Sequence, residues 1–328
     1  MRGFSVTPRD LASVALICAA LVYLPAHADP SQAIPRIGML LPQLADAPLG
    51  DGLREGQREL GYIEGKTFVL ESRPPGSTTD GLRSLASDLV RSKVDLIVVF
   101  STPAARAALD ATTLPVVFLA GDPVASGLAA SLAHPGGNAT GVSLVTPELT
   151  AKRLELLRLS APKARRFILL TNSANSVMVP QLEAAQERAR TLGVQLIPFD
   201  ARNASELDAA LARIPQSGAG GVVVSADLLF LGNRAKIART LRETRLPAIF
   251  PATEYHDAGV LMSYGPSLKQ AMRRVAVYVD KILRGAKPAD LPIEQVSKVE
   301  LVIDLRVARA QGLEIPQDLL LRADEVIR

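Results

Sequence analysis

The sequence predicts an α/β protein of two Rossmann-like parallel-sheet lobes joined by a multi-strand hinge. Three observations predict it. Short apolar runs alternate with helix-spaced segments almost without a break, the pattern of βαβ units around a sheet covered on both faces. That rhythm occurs twice, interrupted at "HPGGNATGVSLVTPE" (134–148). Beyond the second copy, two further apolar segments flank a long helical one. A tail that re-enters both lobes ties them with several crossing segments, a hinge suited to closing on something small. Two rigidly docked domains are the competing arrangement.

The chain begins with residues that read as a leader. Arg2 and Arg9 precede "LASVALICAALVYL" (11–24), which is short for a membrane span, and "AHA" (26–28) is a small-x-small cleavage pattern. Residues 1–28 are therefore expected to be a secretory signal peptide, cut before Asp29. Cys18, the only cysteine, sits in that run behind Ile17, a poor lipobox. The exported chain then has no thiol and retains only His134 and His256, which excludes cysteine chemistry and makes a histidine-based zinc site unexpected.

In the first lobe the expected strands are "RIGML" (36–40), "TFVLES" (67–72), "DLIVVF" (95–100) and "LPVVFLA" (114–120). "GLREGQRELG" and "GLRSLASDLVRS" between them have helical spacing. "ASGLAASLAHPGG" (125–137) reads as a short helix of small residues, and "NATGVS" (138–143) as the first crossing, with glycines absorbing hinge motion. In the second lobe the strands are "RFILLT" (166–171), "VQLIPF" (194–199), "GVVVSA" (221–226) and "LPAIFPA" (246–252), with helices at "LEAAQERARTLG" and "ASELDAALARI". Then come strand "VLMSYG" (260–265), helix "SLKQAMRRVAVYVDKILRG" (267–285), a break at "KPADLP" and strand "VELVIDL" (299–305). The expected lobes are 36–142 plus 262–287, and 143–261 plus 292–328.

Open parallel sheets bind ligands beyond the carboxyl ends of their strands. The residues just after each strand are therefore the candidates. Ser101 and Thr102 precede Pro103 at a helix start, whose N–H groups suit a carboxylate; plain N-capping is the alternative. Asp122, after Gly121, could accept hydrogen bonds from a ligand ammonium or cap the following turn. In the second lobe "TNSANS" (171–176), "SAD" (225–227) and "ATEY" (252–255) end strands in polar residues, which makes Asn172, Asp227 and Glu254 candidates. Charges are scattered and the excess of basic residues is four, so nucleic acid is not an expected partner. No G-x-S-x-G elbow occurs, so a serine hydrolase is not expected.

The words "GQRELGYIEGK", "LASDLVRSKVDLIVV", "GDPVASGLAASLAHPGGNATG", "RLPAIFPATEY", "LMSYGP", "RRVAVYVDKILRGAKPADLPIEQ", "ELVIDL" and "LLLRADEVI" run in order from about 36 to 328. In these the chain resembles the ABC-transporter substrate-binding protein family that includes the tryptophan/tyrosine-binding periplasmic proteins. The resemblance implies a type 1 periplasmic-binding fold with three crossings and a ligand between the lobes. It further implies that Ser101 and Thr102 receive a carboxylate, that Asp122 is the acid of the "DPV" motif, and that Asp227 and Glu254 face the cleft. The chain departs from the family at "EQVSKVELVID", with Val296, Val299 and Asp304 in unusual roles, and at His134, where arginine is common. The first loop, "LPQLADAPLG" (41–50), is shorter than usual, and only Gln43 is carried over from it.

These readings make the protein a periplasmic solute-binding component of an ABC importer. It would bind a small, carboxylate-bearing, amino-acid-like solute, deliver it to an inner-membrane permease, and act as a monomer without a cofactor. With 4% aromatic residues and no tryptophan, a pocket built for stacking on a large ring is disfavoured. The alternative is an exported sensor of the same fold that signals to a membrane receptor. An enzyme is not expected.

Overall fold

The computed structural model describes residues 34–40, 47–73, 79–144 and 147–328. The expected leader and Gln43 lie outside the described residues. The first part of the chain forms β1 (Arg36–Leu40), α1 (Ala47–Glu59), β2 (Val69–Arg73), α2 (Thr79–Arg91), β3 (Leu96–Phe100), α3 (Thr102–Ala111), β4 (Val116–Ala120) and β5 (Ala139–Ser143). The second part continues with α4 (Pro147–Ser160), β6 (Arg166–Thr171), α5 (Met178–Thr191), β7 (Gln195–Asp200), α6 (Ala204–Arg213), β8 (Val222–Val224), α7 (Leu228–Gly232), α8 (Arg234–Glu243) and β9 (Ala248–Phe250). Then follow β10 (Met262–Gly265), α9 (Leu268–Leu283), β11 (Glu294–Gln295), β12 (Glu300–Asp304), α10 (Leu305–Gln311), α11 (Gln317–Leu320) and β13 (Glu325–Ile327).

The strands build a six-stranded sheet ordered β11-β5-β4-β3-β1-β2 and a seven-stranded sheet ordered β13-β12-β10-β9-β8-β6-β7. Every pairing is parallel except β10 with β12. Strand side chains alternate between two buried faces. Leu96, Val98 and Phe100 of β3 join the core beneath α1 and α9, while Ile97 and Val99 join the one beneath α2 and α3. In β6, Ile168 and Leu170 face α6 to α8, and Phe167 and Leu169 face α4 and α5. Period-2 alternation between two dry faces is what turns a strand into a continuous apolar run.

The chain passes between the sheets three times: after β5, between β10 and α9, and between β11 and β12. Two of the expected boundaries shift. Met262–Gly265 pairs in the second sheet rather than starting the return to the first, and Glu294–Gln295 pairs with β5 in the first sheet rather than the second. Among the described residues no helix is long and apolar enough to cross a membrane.

The stretch 121–143 departs further from expectation. Residues 125–137 form successive turns, not a helix. The carbonyl of Pro123 accepts from the N–H groups of Leu128 and Ala129 (2.8 and 3.1 Å), and Gly127 and Gly136 take positive φ angles of 67° and 78°. Such left-handed residues cannot propagate a right-handed helix. "NATGVS" is no crossing either: Ala139–Ser143 is β5, buried throughout. Gly141, opposite Phe118 in β4, has φ 149°, and a Cβ there would overlap the backbone of Phe118. Its glycine serves a close strand approach, not a hinge. Gly141→Ala is accordingly expected to cost on the order of 3 kcal/mol in a urea titration; a loss under about 1 kcal/mol would show that β4 and β5 part easily.

Candidate functional site

Both sheets end their parallel strands toward one cavity of about 340 Å³. From the first lobe come Phe100, Ser101 and Thr102 after β3, with Leu119, Ala120 and Gly121 at the end of β4. The second lobe contributes Asn172 and Asn175 after β6, Asp227 after β8, and Arg153 from α4. Pro251 and Tyr255 follow β9, and Leu144, Pro266 and Leu268 come from two of the crossings. A shallower depression of about 630 Å³ lies between α6 and α8, where Lys236 and Asp208 pair at 2.6 Å. It is remote from both sets of strand ends, so its greater volume does not make it the site.

Ser101 N-caps α3, its Oγ accepting from the N–H of Ala104 (3.3 Å) while its own N–H donates to Leu119 O (2.9 Å). Its backbone stands at φ 97° and ψ 152°, a region that residues with a Cβ rarely enter and that costs on the order of 1–3 kcal/mol. Thr102 Oγ1 accepts from the N–H of Gly121 (3.2 Å), which joins the turn after β3 to the exit from β4. Each hydroxyl accepts in these bonds, so its hydrogen is left for a partner in the cavity. Pro103 has no N–H and Ala104's is already capped. The expected anion-binding helix N-terminus is thus reduced chiefly to two hydroxyls and the N–H of Thr102.

Asp227 N-caps α7. Its Oδ1 accepts from Leu229 N–H (2.8 Å) and Asn172 Nδ2 (3.2 Å), and its Oδ2 accepts from Asn175 Nδ2 (2.8 Å). Two buried asparagines from the turn after β6 therefore fix this carboxylate at the end of β8. Asn175 was not among the sequence candidates, although it shares the polar run of Asn172.

Asp122 and Glu254 do not line the cavity. Asp122 Oδ1 accepts from the N–H groups of Val124 (3.1 Å) and Ala125 (3.0 Å), the capping alternative. Glu254 Oε1 accepts from Ser267 Oγ and Lys269 N–H (both 2.9 Å), so it fastens the start of α9 across the second crossing. Asp304, singled out as a departure from the family pattern, caps α10 and pairs with Arg306 (2.7 Å). Burial pushes its pKa up, but the Arg306 bonds outweigh that and hold the carboxyl below its usual range.

Besides Asn175, three cavity groups escaped sequence reading. Tyr255 is buried against Phe250 with ring centroids 5.1 Å apart, and burial, with the charge of Asp227, pushes its phenol up. Arg202 is matched by Glu206 (2.9 and 2.7 Å), whose carboxyl it holds down at about 2. Arg153 is different. It is 2% exposed and makes no ion pair among the described residues. Nε donates to Tyr264 O (2.8 Å), Nη1 to Thr150 Oγ1 (3.2 Å) and Nη2 to Pro251 O (3.5 Å). Burial lowers its pKa to about 10, which still leaves it charged at neutral pH. A signal was present, because Thr150, Arg153, Leu154 and Leu157 share the buried face of α4, where a cation has no place without a reason. Among the described residues no cluster of His, Cys, Asp or Glu could hold a metal.

Two lobes whose strand ends enclose one largely apolar cavity carrying a few fixed polar groups define a ligand-binding protein that holds its ligand between domains. Residues 45–327 match the model of the family described as ABC transporter substrate binding protein, and the chain belongs to that family, one of binding proteins rather than enzymes. A tyrosine-binding protein of Clostridioides difficile (strain R20291) is 24% identical over 278 residues, 83% of this chain and 80% of that protein. The crystal structure of a conserved domain protein from Vibrio cholerae superposes with a TM-score of 0.82 at 25% identity, over 90% of this chain and 100% of that one. An ABC domain from Streptococcus pneumoniae in complex with L-Trp gives 0.81, with the same identity and coverage. The fold is the type 1 periplasmic-binding fold.

Relief of strain at Ser101 is directly testable. Ser101→Gly should raise stability by about 1 kcal/mol in a urea titration, whereas Ser101→Ala, which keeps the strain and loses the cap, should lower it by about 1 kcal/mol. Two losses of equal size would rule out a strained backbone. Across the cleft, a Cβ on Gly121 would stand 3.2 Å from Val177 Cγ1, so glycine lets the lobes meet. Gly121→Leu should increase the radius of gyration in small-angle scattering with little change in melting temperature. An unchanged radius would mean that Val177 simply yields.

Proposed function

We propose that this protein is the exported solute-binding component of an ABC importer, taking a small amino-acid-like solute into the interlobe cavity and presenting it to an inner-membrane permease. One observation carries the reading: a cavity of about 340 Å³ formed by strand ends of both sheets holds a fixed carboxylate on one lobe and two hydroxyl donors on the other. That volume lies at the small end of ligand sites. Asp227, held in place by Asn172 and Asn175, is a partner for an ammonium group. Ser101 and Thr102 supply hydroxyl hydrogens to an anionic or carbonyl oxygen. Asp122 and Glu254 have no direct part in this reading, because both are engaged in capping.

The relatives support a ligand of this class, since one is a tyrosine-binding protein and another was crystallised with L-Trp. The wall here is mainly aliphatic, with Phe100 and Tyr255 as its aromatic members, which favours a compact side chain over a large ring. The leader at 1–28 is consistent with delivery to the periplasm, and closure of the lobes on the solute would form the surface a permease reads.

A thermal-shift screen of residues 29–328 against amino acids, small carboxylates, nucleosides and sugars tests the reading. A true ligand at ~100 times its dissociation constant adds about 2.7 kcal/mol to folded stability. An amino-acid hit is expected, and Asp227→Asn should weaken it at least tenfold by calorimetry. Binding confined to sugars or nucleosides would overturn the assignment.

A further inference from the structure

Arg153 stands out because its charge is unanswered. Arg202, at the same cavity, has the Glu206 carboxylate on it. Among the described residues Arg153 has only neutral acceptors, namely two backbone carbonyls and one hydroxyl. The ionisable side chains closest to it are the phenols of Tyr255 and Tyr264, not carboxylates. Asp227 lines the same cavity, yet the two make no ion pair with each other.

Holding carbonyl oxygens needs a donor but not a charge, and a buried cation without a counter-charge is among the costliest groups a fold can carry. A guanidinium has five N–H donors. Among the described residues, the three bonds above leave one N–H on each terminal nitrogen without a partner, and two N–H groups are what a carboxylate needs. Thr150 passes its own hydroxyl hydrogen to Gln181 Oε1 (2.8 Å), and Gln181 is buried and donates to Val177 O (3.1 Å). The guanidinium is therefore held in position from behind by a satisfied network.

We infer that Arg153 receives the anionic group of the ligand, and that a free carboxylate is a condition for binding in this cavity. The inference rests on the reading of the cavity as an amino-acid site and narrows it. With Asp227 for the ammonium and Arg153 for the carboxylate, the site selects zwitterions. It rejects amides, esters and decarboxylated amines of the same side chain. Ser101 and Thr102 then add hydrogen bonds from the opposite lobe, so that the ligand's anion joins the two halves.

The test compares L-tyrosine, L-tryptophan and L-leucine with their primary amides, by calorimetry on the purified protein and on Arg153→Gln. On the native protein the best-binding acid should exceed its amide by at least fiftyfold, and Arg153→Gln should collapse that ratio toward one while changing amide binding little. Equal binding of acid and amide by the native protein would overturn the inference, and this comparison stands even where the variant fails to fold. A variant that weakens acid and amide equally would also overturn it, because a merely structural arginine acts that way. Should none of these amino acids bind, acetate, lactate, succinate and inorganic phosphate serve as probes. Stabilisation by one of these anions that vanishes in Arg153→Gln would uphold the anion receptor while removing the amino-acid reading. No response to any of them would remove both.

Discussion

A parallel sheet delivers the carboxyl end of every parallel strand to one edge, and this constraint organises the molecule. Two such sheets are set so that those edges share a cavity, with the crossing segments beside it. Each strand end must also start the next helix, so the polar residues found there serve two demands at once. Free N–H groups need caps, and a ligand needs partners. Asp122 and Glu254 meet the first demand alone, whereas Asp227 meets both, because Asn172 and Asn175 hold the carboxylate that caps α7 where it also lines the cavity. Position at a strand end is necessary for a site residue and far from sufficient.

Electrostatics separates the residues that remain. The Arg202–Glu206 pair is substantially exposed and mutually satisfied, and pairs of this kind contribute little to stability. It restrains a loop at the cavity without marking a charge on the ligand. Arg153, at the same cavity, is buried and makes no ion pair among the described residues. The same physics that makes its burial expensive makes a carboxylate partner worth far more there than at the rim. Strain at Ser101 belongs to the same pattern: a capping serine in a nearly glycine-only conformation persists because neighbouring strands hold it.

The architecture was legible because two-faced burial writes continuous apolar runs, and ten of the observed strands lie within or beside such runs, from "RIGML" to "VELVIDL". The strand at Ala139–Ser143 was not, since "ATGVS" carries little apolar bulk and its glycine is needed for approach to Phe118 rather than for motion. β11 has two residues and no periodicity to read. The helix expected over 125–137 failed because alanine-rich composition outweighed the prolines and glycines that set its turns. In the site, Ser101, Thr102, Asn172 and Asp227 were found by position after a strand. Arg153 lies in the middle of a helix, and only its place on the buried face of α4 could have marked it.

That location has a mechanical consequence. The carbonyls held by Arg153 belong to Pro251, just past β9, and Tyr264, in β10. β10 ends at Gly265, and the chain then crosses to α9, whose start is fastened by Glu254 from the turn after β9. One guanidinium therefore touches the cavity on one side and the strand leading into the crossing on the other. Crossing and cavity are thus joined through a single buried side chain, with no relay of contacts across either lobe. On the role inferred for Arg153, the group that meets the ligand's anion is also the group that holds the strand leading into the second crossing.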